Sequence, residues 1–275
     1  MPEATRSTTG AARAGSAGLV MLDEGRLVGS DRVLAVLKEL AHYGDGVGLE
    51  ELTSVMGSPK PTIHRALVAL RRAGLAGQDA RGHYVLGDEF LRLAFAHHEL
   101  RPEHLRVRPV LEDLAALFRE TAHYAVLDGR EVVYRAKVDP SGGAVRLTST
   151  IGGRNPAHAT GVGKLLLAYR LPTRADITDW VGSEGLVRRT PHTRCTVDAL
   201  HRDLEGVRER GFATDDQENE VGINCVALPV YSTSVAAPAG AVSVSGLCYR
   251  TPLDVLVDAV DEMRGVLGSL GEVRR

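Results

Sequence analysis

The sequence predicts an α+β fold in three parts: an N-terminal winged helix-turn-helix, a pair of linker helices, and a C-terminal domain with an antiparallel sheet flanked by helices. Three observations predict it. Gly48 to Gly74 holds two short amphipathic helical patterns split by Gly57, and a hairpin pattern follows. Two longer helical stripes occupy 88–120. From Thr121 onward, short β-like runs lie at both ends of the second half with helical patterns between them, which suits one antiparallel sheet with helices beside it. The boundaries that follow are a disordered tail over 1–28, the winged helix-turn-helix over 29–87, linker helices over 88–120, and the α+β domain over 121–275.

The elements follow in order. Residues 1–18 are mostly Ala, Gly, Ser and Thr with no apolar stripe, so they lie outside the fold. From Ser30 to His42, Val33, Leu34, Val36, Leu37, Leu40 and Ala41 give a strong amphipathic helix, with Ser30 or Asp31 as its cap. Leu49, Leu52, Val55 and Met56 form the apolar face of the next helix, which Gly57 ends by its access to the left-handed conformation. Ser58 is placed to cap a third helix with Pro59 at its first position, and Ile63, Ala66, Leu67 and Leu70 form its buried stripe. Leu75-Ala76 and His83 to Leu86 read as strands around the polar turn Gln78 to Gly82, with Arg81 at the tip of a wing.

Glu89 to Leu100 is helical in pattern, and Arg101-Pro102 breaks it before a helix from about Glu103 to Arg119. The stripes Leu91, Ala94, Phe95, His98 and Leu111, Leu114, Leu117, Phe118 offer surface for a dimer contact. His123 to Leu127 and Glu131 to Ala136 form a hairpin around Asp128-Gly129, and Val145 to Thr148 reads as another strand. A Gly-rich stretch from Ile151 to Lys164 opens into a helix at Leu165 to Tyr169. Helices at Thr173 to Val181 and Val197 to Arg210 follow, then strands at Cys225 to Tyr231 and Gly240 to Ser245, and a closing helix from Pro252 to about Leu270.

Composition limits the function. The 275 residues are 44% hydrophobic and 25% charged with a net charge of -2, so affinity for nucleic acid must come from a local patch. Cys195, Cys225 and Cys248 lie far apart, which argues against a zinc site or a disulfide framework and for the cytoplasm. No apolar run is long enough to span a bilayer. No cofactor or metal is expected.

The third helix has no acid between Ser58 and Arg72. Lys60 and Arg65 can reach phosphates or a guanine edge, while Thr62 and His64 are short enough to lie against bases. The alternative is a solvated surface helix. In the second half, Gly161-Val162-Gly163-Lys164 fails the phosphate-loop pattern, because His158 stands where a glycine is needed and Leu165 where a hydroxyl is needed. It fails the dinucleotide fingerprint at Leu166. Glycine-exposed N–H groups at a helix N-terminus remain, suited to a small anion such as a carboxylate.

Ser58-Pro59-Lys60-Pro61-Thr62-Ile63-His64-Arg65-Ala66-Leu67, His158-Ala159-Thr160-Gly161-Val162-Gly163-Lys164, Arg210-Gly211-Phe212 with Asp215-Asp216-Gln217-Glu218 and Gly222 to Ala227, and Ala241 to Gly246 stand in order along the chain. With these motifs the chain from about Ser30 resembles the IclR family of bacterial transcriptional regulators. The resemblance implies a GAF-like effector domain, a dimer or a dimer of dimers, and a small organic acid or related metabolite as effector. Carried over residue by residue, that ligand meets the amides of Gly161 and Val162, the side chains of Asp215 and Cys225, and the hydroxyls of Ser243 and Ser245. Pro61 departs from the small polar residue expected in that helix, which removes one potential base or phosphate contact.

The expected function is a ligand-responsive DNA-binding transcriptional regulator, with repression favoured over activation but not decided by the sequence, and not an enzyme. Its partners are double-stranded DNA at a pseudo-palindromic operator, a small carboxylate effector and further copies of the chain, with no membrane. The DNA-binding residues are Ser58, Lys60, Thr62, His64, Arg65 and Arg81. The alternatives are a metabolite sensor acting through protein partners and a cysteine-dependent enzyme pairing Cys225 with His158 or His192.

Overall fold

The computed structural model describes residues 29–99, 102–141, 147–231 and 237–272. The predicted tail therefore lies outside the described residues. The chain divides into two compact units, Met1–Ala96 and His97–Arg275.

The first unit carries α1 (Gly29–Leu40), α2 (Leu49–Val55), α3 (Lys60–Arg72), β1 (Ala76–Gln78) and β2 (Tyr84–Leu86), followed by α4 (Asp88–Glu99). The inner stripes predicted for the three helices meet in one core: Val36 and Leu40 of α1, Leu52 of α2, and Ile63, Ala66, Leu67 and Leu70 of α3 are all buried. Val55, read as part of the α2 stripe, lies outward and exposed. Gly57 has φ +55°, the left-handed turn expected after α2. The two wing strands pair antiparallel from Ala76↔Leu86 to Gln78↔Tyr84, and Val47 adds a bridge to Tyr84. This is a winged helix-turn-helix.

Ser58 does not cap α3. The helix begins at Lys60 with Pro59 in the cap position, and the Ser58 hydroxyl donates instead to Met56 O at 3.2 Å. The reason lies in the first turn. Pro61 has no N–H to offer, and the Thr62 N–H already donates to Pro59 O at 2.8 Å. The two prolines thus replace the serine as the starting device.

In the second unit, α5 (Pro102–Phe118) precedes a six-stranded antiparallel sheet of order β5-β4-β3-β8-β7-β6. The strands are β3 (Thr121–Asp128), β4 (Glu131–Val138), β5 (Arg154–Pro156), β6 (Ala213–Asp216), β7 (Ile223–Val230) and β8 (Gly240–Leu247). Between them lie α6 (Gly161–Arg170), α7 (Arg174–Val181) and α8 (Val197–Arg210), and after them α9 (Leu253–Asp258) and α10 (Val260–Glu272). The pairing of β3 with β8 joins the two ends of the domain in the middle of the sheet.

Strand alternation decides which helices go where. One face presents Ala125, Val132, Ala213, Ala227 and Ala241 to α6, α7 and α8. The other presents Ala122, Tyr124, Val226, Leu228, Val242 and Val244 to α5, α9 and α10. Leu111 and Leu114 of α5, read as a linker stripe, are buried in this second core. Small residues dominate the first face because α6 lies close upon it. Among the described residues no helix is long and apolar enough to cross a membrane.

Three expectations for this unit are corrected. Leu147 and Thr148 are in no strand, and Val145 and Arg146 lie outside the described residues. The edge place beside β4 is taken by β5, while the carbonyls of Leu147 and Ser149 accept from the Lys137 ammonium at 2.9 Å each. Ala213 to Asp216, read as an acidic loop, is strand β6. Its two acids hid an alternation in which Ala213 and Asp215 turn inward and are buried. The closing helix is two helices divided at Ala259 (φ −89°, ψ 7°).

Candidate DNA-binding and effector sites

On α3, Lys60, His64 and Arg65 are exposed and Thr62 is half-buried, so the outer face is cationic and free of acid within the helix. Lys60 is not free, however. Its ammonium pairs with Glu50 of α2 at 3.0 Å, with both side chains largely in solvent. An exposed pair of this kind holds weakly and can exchange its carboxylate for a phosphate. The Arg65 Nε donates to Pro61 O at 3.3 Å, which lays the guanidinium back along the helix. At the wing tip Arg81 donates to Asp79 and, at 2.7 Å, to Asp45 O. The wing cation is thereby held in place rather than loose. Ser58 stands half-buried just before α3, and its hydroxyl serves the turn.

The second site lies where the N-terminus of α6 meets the sheet. The side chain of Thr160 caps α6 by accepting the Gly163 N–H at 3.1 Å, and its carbonyl accepts the Lys164 N–H at 2.9 Å. The first-turn amides of Gly161 and Val162 have no such partner among the described residues. Gly161 lies directly on the sheet: a Cβ there would sit 3.1 Å from Cys225 Sγ and 3.5 Å from Ala227 Cβ. Register aligns Asp215↔Cys225, Cys225↔Ser245, Ala227↔Ser243 and His123↔Ser243 on neighbouring strands. Asp215, Cys225, Ser243 and Ser245, drawn from three different strands, therefore share one face with Gly161 above it, and all four are buried.

Electrostatics sets the protonation of this group. Burial pushes the Asp215 carboxyl up to about 7, against the pull of the Lys164 ammonium and of the Glu218 N–H, which donates to it at 2.6 Å. Burial and the nearby Asp215 charge push the Cys225 thiol up to about 12, although the neighbouring Ser245 and Ser243 hydroxyls pull it down. Near neutral pH the thiol is protonated and Asp215 is poised between its two states.

Asp215 is fixed by a turn that strains the backbone. Gln217 sits in the left-handed region at φ +58°. Thr190 donates to Gln217 O and Thr193 to Glu218 O, each at 2.7 Å. Below it, Lys164 is buried and ion-paired with Glu218 and, at 2.7 Å, with Asp203. Burial alone would strip its proton, but the two carboxylates outweigh that and hold it charged. The lysine of the failed phosphate motif is thus a structural ion. His158 is equally committed, donating its Nε2–H to Val187 O at 2.9 Å, and His192 is exposed. Among the described residues no cluster of His, Cys, Asp and Glu could hold a metal ion.

His123 is not among the site residues expected from the sequence. It faces the same side as Ser243, and the alternation along β3 was the available signal: Ala125 and Leu127 on its face pack in the first core, while Ala122 and Tyr124 pack in the second.

Comparison with known proteins agrees with these features. Residues 30–80 match the IclR helix-turn-helix domain and residues 98–264 match the C-terminal domain of the bacterial transcriptional regulator IclR. The chain is 32% identical over 257 residues to the HTH-type transcriptional regulator BhcR of Paracoccus denitrificans, covering 92% of this chain and 90% of that one. It is 30% identical over 235 residues to the HTH-type transcriptional repressor AllR of Salmonella typhi, covering 85% of each. In fold it is similar to the crystal structure of an IclR homolog complexed with 4-hydroxybenzoate from Microbacterium hydrocarbonoxydans, with a TM-score of 0.67, 21% identity, and 87% and 99% of the two chains covered. The chain belongs to the IclR family of bacterial transcriptional regulators, DNA-binding proteins that act through the winged helix of the first unit.

Proposed function

We propose that this regulator is a repressor that recognises its operator with Lys60, Thr62, His64, Arg65 and Arg81, with Ser58 beside them, and releases or rearranges on DNA when a small carboxylate binds Gly161, Val162, Asp215, Cys225, Ser243 and Ser245. The observation that carries the reading is the seating of Gly161 on Cys225 and Asp215. It puts unbonded helix amides beside buried hydroxyls and a carboxyl that shares a proton near neutrality. It works as a dimer or a dimer of dimers, so that two winged helices read half-sites about 34 Å apart or a multiple of that. Coupling between effector and DNA of about 1–3 kcal/mol is the expected scale. It acts in the cytoplasm, on the nucleoid, and catalyses no reaction. A thiol pushed up to about 12, with His158 bonded to Val187 O, supports that last point.

A gel-shift and footprint assay on the DNA upstream of its own gene tests this, with and without small carboxylates. The absence of sequence-preferring binding under both conditions overturns the reading. The Lys60→Ala, Arg65→Ala double variant is expected to lower the slope of log K against log salt by about 0.9 for each phosphate that goes unneutralised, because every neutralised phosphate releases condensed counterions. An unchanged slope would favour a sensor that works through protein partners.

Effector affinity carries its own pH signature. Asp215 lies near 7, and an anionic ligand binds beside its protonated form. Above pH 7 binding must therefore recruit a proton, and Kd for a carboxylate is expected to rise about tenfold per pH unit. Below pH 7 the dependence flattens. Asp215→Asn should abolish the rise, as titration calorimetry between pH 6 and 9 would read.

A further inference from the structure

We propose that His123 is a second anchoring residue of the effector site: a neutral imidazole whose Nδ1 hydrogen-bonds a hydroxyl of the ligand, so that the effector is a hydroxy acid with its hydroxyl remote from its carboxylate. This rests on the effector-site reading above. The ring is buried, its Nε2 is bonded to Ser149 Oγ at 2.8 Å, and its Nδ1 has no hydrogen-bond partner among the described residues. A buried ring nitrogen without a partner is costly, and a ligand that supplies one recovers that cost on binding.

The neighbours of the ring are already committed. The Lys137 ammonium, paired with His123 across the β3–β4 ladder, spends its three donors on Leu147 O, Ser149 O and Asp139. The Thr121 hydroxyl donates to Asp139 at 3.0 Å. The Tyr134 ring lies tilted against the imidazole with centroids 5.0 Å apart, and its hydroxyl accepts from Asn155 at 3.3 Å. Nδ1 is therefore the buried nitrogen of this group left without a partner among the described residues. Its chemistry selects the ligand group. If Ser149 donates to Nε2, Nδ1 carries the proton and needs an acceptor. If Ser149 accepts, Nδ1 needs a donor. A hydroxyl serves either tautomer.

Distance sets the separation of the ligand's two ends. Gly161 rests over β7, while His123 is on β3, two strands away with Ser243 of β8 between them. Two strand spacings are about 10 Å. A carboxylate at the helix amides and a hydroxyl at His123 then belong to opposite ends of the molecule.

Titration calorimetry of the full chain with two matched pairs, 4-hydroxybenzoate against benzoate and 6-hydroxyhexanoate against hexanoate, tests the proposal. The wild type is expected to bind the hydroxylated member of at least one pair about tenfold more tightly. His123→Leu should reduce that preference to less than about threefold while leaving the affinity for the unhydroxylated acid within about threefold. His123→Asn, whose amide stands near the Nδ1 position, should keep much of it. Should His123→Leu not fold, the wild-type pairs and His123→Asn carry the test. Binding of both acids without a hydroxyl preference, or a preference that survives in a folded His123→Leu, overturns the role of His123 while the carboxylate site stands. Failure of all four acids to bind overturns both.

Discussion

Replacing Lys164 by alanine is expected to destabilise the protein by about 3–5 kcal/mol, the scale for removing one partner of a buried ion pair. The ammonium is 1% exposed and Glu218 is 2% exposed, so water cannot take over when one partner is removed. Asp203 would be deprived of its 2.7 Å partner as well. Glu218 can lower the penalty by taking up a proton, which predicts that the variant is less crippled at pH 5 than at pH 8. In thermal unfolding the effect should appear as a fall in Tm on the order of 10 °C for a unit of this size. Adding Glu218→Gln to Lys164→Met should restore part of it. A Lys164→Ala protein that melts within 2 °C or so of the wild type would show that the lysine is not the structural ion described above.

The second large effect is expected one residue earlier. Glycine inside a helix usually gains about 0.5–1 kcal/mol on replacement by alanine. Gly163 should behave in the opposite way. A Cβ there would lie 2.1 Å from Ala157 O and 2.5 Å from Ala157 Cα, atoms of a 3-10 turn that cannot move aside without lifting α6 from its place. Gly163→Ala is expected to cost about 3 kcal/mol or more, at the upper end for overpacking. Gly265 is the control. It lies within α10, has open space where its Cβ would go, and Gly265→Ala should be neutral or stabilising. Urea unfolding of the two variants decides the matter, and a Gly163→Ala protein at least as stable as the wild type would rule out the close approach.

Both effects bear on function because Gly163 and Lys164 set the position of α6. Gly163 lets the helix N-terminus descend onto the 3-10 turn, and Lys164 ties the helix to Glu218 in the turn that fixes Asp215. The amides of Gly161 and Val162 reach the sheet only because these two residues hold the helix down. Residues that never touch an effector would thus control whether its site exists.

Much of the fold was legible from the order of residues alone. The stripe of α3 is a local periodicity, and Ile63, Ala66, Leu67 and Leu70 are buried as that period requires. The helix over Val197 to Arg210 matched at both ends, since its Thr196 cap and the left-handed Gly211 are signals written at its own boundaries. Ser58 misled because two prolines removed or preempted the amides that a serine cap would serve. Strand β6 was hidden because pairing with β7, not its own composition, makes Ala213 to Asp216 a strand.

What the sequence by itself determined is most of the helices and the central strands β3, β4, β7 and β8, the cationic and acid-free face of α3, and the four motifs. These rest on spacing within ten or twenty residues, where helix and strand periods act. Only the tertiary structure decided which polar residues have partners. It spends Lys164 on Glu218 and Asp203, ties Lys60 to Glu50, and seats Gly161 on Cys225. It also leaves one nitrogen of His123 open. The physical reason is that burial and hydrogen-bond satisfaction depend on contacts across the sheet, between residues as far apart in the chain as Thr121 and Ser245, and no local pattern records them.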